Sequence, residues 1–332
     1  MLNIESRRYI GNKTKLSEWI MDLISKNTND VHIFCDIFAG TGTISNHALP
    51  IYDHVIINDF LYSNNVIYKA FFGKGEWNSE KLDRIAESYN SLNGDEIEDN
   101  YFSINFGNKF FDMSSARKTG YIREDIEKHK DDLNEKEKDI LLASLIYSID
   151  RIANTLGHFD AYIKKPITRK NFRFELVNAK SYDNVEIFQE DSNELAREIH
   201  SDLVYVDPPY NSRQYSRFYH VYENLVKWEK PKLYGSAMKP KPENMSNYCR
   251  ASALDVFKDL IEHLDTKYIA VSYNNTYNSK SKSSRNRISL EDLEATLSSR
   301  GVTKVFAHDY TAFQAGRTDL KDHKEFLFIT EI

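Results

Sequence analysis

Short apolar runs recur along this chain, and each leads into a polar or acidic residue. Ile33-Phe34-Cys35 leads into Asp36, and Val55-Ile56-Ile57 leads into Asn58-Asp59. Val185-Glu186-Ile187-Phe188 leads into Glu190-Asp191, Leu203 to Val206 into Asp207, and Tyr268 to Val271 into Ser272-Tyr273-Asn274. The stretches 302–306 and 325–330 are further strand candidates. Runs this short have the length of strands rather than helices. Helical spacing occurs between them, as in Leu16, Trp19, Ile20, Leu23 and Ile24. Strands alternating with helical segments predict an α/β fold, with a mostly parallel sheet and helices on both faces. Ligands of such sheets bind beyond the carboxyl ends of the strands, where these acids fall.

One interval breaks the rhythm. About 120 residues separate Asp59 from Val185, far more than a crossover between parallel strands needs. Leu141, Leu142, Leu145, Ile146, Ile149 and Ile152 repeat there at helical spacing and read as core. The stretch 61–184 is therefore expected to be an inserted, mainly helical region. Residues 1–60 and 185–332 are expected to form the ligand-binding domain. A second, shorter insert at 211–250 opens with Tyr215, Phe218, Tyr219 and Tyr222 and then turns basic.

Composition narrows the class. No run of eighteen apolar residues occurs, so no transmembrane helix is expected. The opening MLNIESRRYIGNK lacks the apolar core of a signal peptide, and a cytoplasmic protein is the expectation. Two cysteines, Cys35 and Cys249, argue against a disulfide scaffold or a zinc site, and no metal is expected. The net charge of −6 speaks against a nucleic-acid partner, but distribution matters more than the sum. Basic residues cluster at Lys164, Lys165, Arg169, Lys170 and Arg173, at Lys230, Lys232, Lys239 and Lys241, and at Lys280, Lys282, Arg285 and Arg287. Any one cluster could be a solvated loop; three together suggest phosphate contacts.

Asp207-Pro208-Pro209-Tyr210 carries the most chemistry. Neither proline offers an N–H to a sheet, so the preceding strand stops here rigidly. The tetrapeptide could be an ordinary turn. Its place after a buried strand favours a functional reading. A carboxylate and a carbonyl can accept the two hydrogens of an exocyclic amine, and a ring can stack on the base that bears it. That is the chemistry of adenine-amine methylation.

The loop Asp36-Ile37-Phe38-Ala39-Gly40-Thr41-Gly42 follows the first strand. Its two glycines permit a tight turn and close backbone approach to a ligand. Ser45 stands where the dinucleotide fingerprint has its third glycine, and Asp36 at the loop mouth would repel a pyrophosphate. An NAD-dependent dehydrogenase is thereby disfavoured. Asp59 ends the second strand, where an acid can accept hydrogen bonds from ribose hydroxyls. A ribose-bearing, cationic, phosphate-free ligand fits this set. Upstream, Tyr9 can stack on a planar or cationic group and Lys13 can bond a carboxylate or a base edge, although this stretch also reads as a flexible basic terminus.

Tyr-Ile-Gly-Asn-Lys at 9–13, Asp-Ile-Phe-Ala-Gly-Thr-Gly at 36–42, Asn-Asp at 58–59 and Asp-Pro-Pro-Tyr at 207–210 resemble, in that order, the motifs of the Dam-like, alpha-group adenine-N6 DNA methyltransferases. Ala153-Asn154-Thr155, Asp160-Ala161-Tyr162 and Asn211-Ser212-Arg213-Gln214-Tyr215 resemble segments of the restriction-modification enzymes of FokI and NlaIII type. The resemblance implies a Rossmann-like methyltransferase sheet, S-adenosyl-L-methionine as cofactor, double-stranded DNA as substrate with the target base flipped out, and a cognate restriction endonuclease acting independently. It implies Asp207, Pro208 and Tyr210 as catalytic. It implies Tyr9, Lys13, Asp36, Phe38, Gly40, Gly42, Asp59, Asp191 and Asp207 as cofactor contacts, with Glu190 adjacent to Asp191 as an alternative acid. The insert 61–184, with 211–250, is the candidate for target recognition. Arg213 and Gln214 could read base edges or contact phosphate, and Lys280, Lys282 and Arg285 could contact DNA. The insert differs from that of Dam, so Dam's target word is not implied. An RNA methyltransferase and a non-catalytic nucleic-acid-binding protein on the same scaffold are the alternatives.

Overall fold

The computed structural model describes residues 1–209, 212–275, 288–309 and 324–332. The chain divides into two compact units: residues 13–60, 184–215 and 244–332 form one, and residues 1–12, 61–183 and 216–243 form the other. No helix among the described residues is long and apolar enough to cross a membrane.

The first unit is built on seven strands: β1 (Ile33–Asp36), β2 (His54–Asn58), β3 (Val185–Phe188), β4 (Leu203–Val206), β5 (Tyr268–Asn274), β6 (Val302–Asp309) and β7 (Lys324–Glu331). Their order in the sheet is β3-β2-β1-β4-β5-β7-β6. β1 to β5 are parallel; β7 runs antiparallel between β5 and β6. The chain winds from β1 toward β3 and then returns through β4 toward β5. The direction therefore switches between β1 and β4, where open α/β sheets bind ligands. In register, Asp36 lies opposite Ile57 on one side and Tyr205 on the other.

Alternation along the strands decides the layers. Cys35, Ile56, Val204 and Ile269 share a core cluster with Phe257, Leu260, Leu293 and Leu297, which come from the helices Ala253–His263 and Leu290–Ser298. Neighbouring strand residues point to the opposite face. There Phe34 stacks on Tyr52 with ring centroids 4.9 Å apart. β4 is buried at all four positions, as expected for a strand covered on both faces.

The second unit is mostly helical. Its central helix, Glu135–Ile152, is buried continuously from Ile140 to Asp150. Asn134 caps it: its side chain accepts from the Glu137 N–H, while the Glu137 carboxylate accepts from the Asn134 N–H. Arg123, 1% exposed, donates through Nε to the Leu225 carbonyl at 2.6 Å and closes the end of the helix His220–Lys227. Glu223 accepts from the backbone N–H groups of Tyr62 and Ser63, closing the start of the helix Tyr62–Phe71.

Candidate active site

The site in the sheet unit begins with the loop after β1. The Ile37 N–H donates to the Tyr205 carbonyl and the Ala39 N–H to the Asn58 carbonyl, so the loop is strung between β4 and β2. Gly40 and Gly42 take φ of 54° and 76°, a region that side chains disfavour. The Gly40 N–H donates to Asp59 Oδ2 at 3.0 Å. Gly42 then caps the helix Thr43–Ala48.

Asp36, at the end of β1, is 1% exposed. Its Oδ2 accepts from Ser45 Oγ at 2.6 Å, and its Oδ1 has no partner among the described residues. Burial pushes its pKa up to about 7; the Ser45 bond opposes that rise, while the charges of Asp207 and Asp59 add to it. The residue that breaks the dinucleotide fingerprint is thus the one that orients the first acid of the loop.

Three strand ends are tied by one side chain. Asn58 is fully buried; its Nδ2 donates to the carbonyls of Ile37 and Glu190, each at 3.1 Å, and its Oδ1 accepts from the Glu190 N–H at 2.9 Å. Sequence reasoning noted Asn58 as a strand end and missed this function. A polar residue closing an otherwise apolar run was the available signal.

After β3, Asp191 Oδ1 accepts from the Asn193 N–H at 2.9 Å. Asp191, Asn193, Glu194, Asp255 and Asp259 line an open pocket of about 330 Å³ with Asn247 and Val256. Phe38 meets Tyr248 edge to face at 5.1 Å, and the Tyr248 hydroxyl donates to Asn193 Oδ1 at 2.9 Å.

Asp207 follows β4, beside the loop of Asp36 across the switch point. Its Oδ1 lies 3.1 Å from Lys13 Nζ, and the same ammonium lies 2.8 Å from Glu325 Oε1. Burial acts to lower the Lys13 pKa, but Asp207 and Glu325 overcome it and leave it raised, so the ammonium stays charged. Sequence reasoning did not single out Glu325. Tyr210 lies outside the described residues, as do Lys280, Lys282 and Arg285. Gln214 donates through Nε2 to the Ser246 carbonyl at 2.9 Å and accepts from the Ser246 N–H at 2.8 Å, while Arg213 is exposed.

Tyr9 belongs to the helical unit. Its ring stacks on Tyr219 at 4.5 Å, and the Arg7 guanidinium lies 4.9 Å from its centroid. Several clustered cations of this unit are engaged within it: Lys230 with Glu124, Lys239 with Asp160, and Arg169 with Asp95.

The donor set at the carboxyl edge of the sheet is acidic, glycine-bearing and suited to a cationic ligand without phosphate. A family model described as D12 class N6 adenine-specific DNA methyltransferase matches residues 9–288. The chain is 32% identical over 336 residues to the type II methyltransferase M.CviAII of Paramecium bursaria Chlorella virus 1, covering 98% of each. It is 27% identical over 347 residues to M.NlaIII of Neisseria lactamica, covering 97% of this chain and 98% of that one. It is 29% identical over 320 residues to M.FokI of Planomicrobium okeanokoites, covering 90% of this chain and 48% of that one. The chain spans about half the length of M.FokI and of the modification methylase LlaI of Lactococcus lactis subsp. lactis, at 48% and 52%. With a model matched over most of its length and a relative this similar from end to end, the chain belongs to the D12 class of N6 adenine-specific DNA methyltransferases.

Proposed function

We propose that this chain transfers a methyl group from S-adenosyl-L-methionine to the N6 amine of adenine in double-stranded DNA, as the protective partner of a restriction endonuclease. The observation that carries the reading is the pair of acids Asp36, which ends β1, and Asp207, which follows β4, on either side of the switch point of the sheet. The residues present fit the cofactor. A buried carboxylate oxygen of Asp36 without a partner among the described residues suits an ammonium group, and Asp59, already bonded to the Gly40 N–H, can accept from a ribose. Asp191 lines an acidic pocket and can accept from an amine. When bound, S-adenosyl-L-methionine would supply a methyl group on an electrophilic sulfonium and leave as the neutral thioether as its S–CH3 bond breaks, while the methylated nitrogen would release one proton, to Asp207 or to water.

The chain's own residues do the rest. An adenine within a duplex must be extruded, at a cost of about a few kcal/mol. Tyr210 offsets part of that by stacking, worth about 1–3 kcal/mol. The Asp207 carboxylate and the Pro208 carbonyl each accept one amine hydrogen. Those two bonds pull the nitrogen lone pair out of conjugation with the ring and aim it for attack. The stiffness of two consecutive prolines fixes both acceptors before the base arrives, so no reorganisation is needed at the moment of transfer.

The test is methyl incorporation into duplex DNA and, in parallel, into ribosomal RNA, with the product base identified. The unmodified chain is expected to label adenine in DNA alone, and Asp207→Ala to abolish labelling while calorimetry still finds cofactor bound. Turnover by Asp207→Ala near that of the unmodified chain, or labelling of RNA alone, overturns the reading.

A further inference from the structure

We infer that Glu325 is a positioning residue for methyl transfer, acting on Asp207 through the Lys13 ammonium. This rests on the reaction proposed above. Three adjacent strands deliver the parts. Asp207 follows β4, Ser272 follows Val271 in β5, and Glu325 opens β7 opposite Asn274 of β5. Lys13 Nζ bridges Asp207 Oδ1 at 3.1 Å and Glu325 Oε1 at 2.8 Å, and Ser272 Oγ donates to that same Oε1 at 2.8 Å.

The difference between the two carboxylates assigns the roles. Glu325 is 2% exposed, sits within a strand paired on both sides, and holds the ammonium at the shorter distance. Asp207 is more exposed, at 14% of its side chain, and lies in the tetrapeptide that meets the base. A lysine on a four-carbon stem is flexible and carries a point charge, so it holds a fixed direction only when something anchors it. Glu325 supplies the anchor, and Ser272 fixes the anchor in turn. Sharing one ammonium between two carboxylates also leaves Asp207 with more acceptor strength than a neutral one-to-one pair would. With Glu325 neutral, Lys13 collapses onto Asp207 and weakens its bond to the amine. That loss falls on the transition state and not on the binding of cofactor or DNA.

The experiment compares Glu325→Gln, Ser272→Ala, Lys13→Met and the double variant Lys13→Met/Glu325→Gln by steady-state kinetics. Urea denaturation of the same proteins gives a readout independent of activity. The expected result for Glu325→Gln is a fall in kcat of about 10- to 100-fold, the scale of one hydrogen bond to a charged group. KM for DNA and for S-adenosyl-L-methionine should stay within about twofold, as expected when the lost interaction is one that strengthens as the amine nitrogen becomes positive in the transition state. Ser272→Ala, which keeps both charges, should lower kcat by a smaller factor in the same way. The double variant should lose no more than Lys13→Met alone, and the two changes should be non-additive in urea. Unchanged kcat in both Glu325→Gln and Ser272→Ala, a loss confined to KM, or additive losses overturns the inference. If the unmodified chain transfers no methyl group to adenine, the reaction assignment fails by itself, and the coupling of Lys13 with Glu325 is still read from urea.

Discussion

Ser45 Oγ donates a 2.6 Å hydrogen bond to one oxygen of Asp36, and the other oxygen of that buried carboxylate has no partner among the described residues. A carboxylate in this position is half satisfied. It either takes up a proton or waits for a cation, and the choice between them is made near neutral pH.

Cofactor affinity should accordingly rise with pH through about 7, the value to which burial, with Asp207 and Asp59 adding, pushes the Asp36 carboxyl. The cationic end of S-adenosyl-L-methionine needs the ionised form. The sign for the free protein is opposite. A carboxyl raised on folding contributes stability that is complete below its unfolded pKa and is lost as pH rises through the folded one. The free protein should therefore lose stability toward pH 7 while the complex gains it. Ser45→Ala removes a contact that lowers the pKa, so its binding midpoint should move upward. Calorimetric titrations between about pH 5.5 and 8.5 check this, and affinity that stays flat over that range refutes it.

Asn58 should tolerate no replacement without loss of both stability and cofactor affinity. Its carboxamide donates to Ile37 and Glu190 carbonyls and accepts from the Glu190 N–H. Asn58→Ala leaves those buried groups unpaired and should cost about 1–3 kcal/mol in urea unfolding. Asn58→Asp sets a carboxylate against two carbonyls and should cost more. Because the same side chain ties the loops after β1, β2 and β3, cofactor affinity should fall with it. Asn58→Ala with wild-type stability would count against this account.

The strand ends were legible because burial, periodicity and chemistry coincide there. An apolar run long enough to cross the sheet and then an acid reveals Asp36, Asp59 and Asp207 together. Glu325 was hidden for a topological reason. It stands at the charged start of Lys-Glu-Phe-Leu-Phe-Ile-Thr-Glu, ahead of a continuous apolar run, where an acid beside a lysine reads as a solvated strand end. Only the insertion of β7 antiparallel between β5 and β6 brings it to the end of the sheet that holds Asp207. In the sequence Ser45 shows only that a third glycine is absent, since its bond to Asp36 depends on the turn that the two glycines make. Sequence alone does not divide the three basic clusters into paired and unpaired cations. Their partners are remote in sequence, as with Lys230 and Glu124, so sequence could not separate cations used inside the protein from those left for a ligand.

Gly120 should not accept even a methyl group. A Cβ there would come within 1.9 Å of Asn100 Oδ1. That oxygen accepts from the Ser103 N–H and caps the helix Tyr101–Phe106, while Asn100 Nδ2 donates to the Arg117 carbonyl. Gly120→Ala should cost about 1–3 kcal/mol by overpacking, with up to about 1 kcal/mol more if the cap is lost. A thermal scan of the variant, showing a lower Tm than the unmodified chain, is the check; an unchanged Tm refutes it.

The cations of the helical unit should divide by whether they are already paired. Lys164 and Lys165 are exposed and carry no ion pair among the described residues, whereas Arg169 donates to Asp95 at 2.8 Å and to Ser114 Oγ at 3.0 Å. Phosphate contacts release counterions, so log affinity falls with log salt by about 0.9 for each phosphate neutralised. Lys164→Ala/Lys165→Ala should therefore weaken binding to all duplexes alike and reduce that slope by about 2, with no change in the modified sequence. Arg169→Ala should leave the slope nearly unchanged, because its charge is spent on Asp95. Binding of labelled duplex at several salt concentrations separates the two. Equal slope changes in the two variants would show that pairing within the protein does not decide which cations meet DNA.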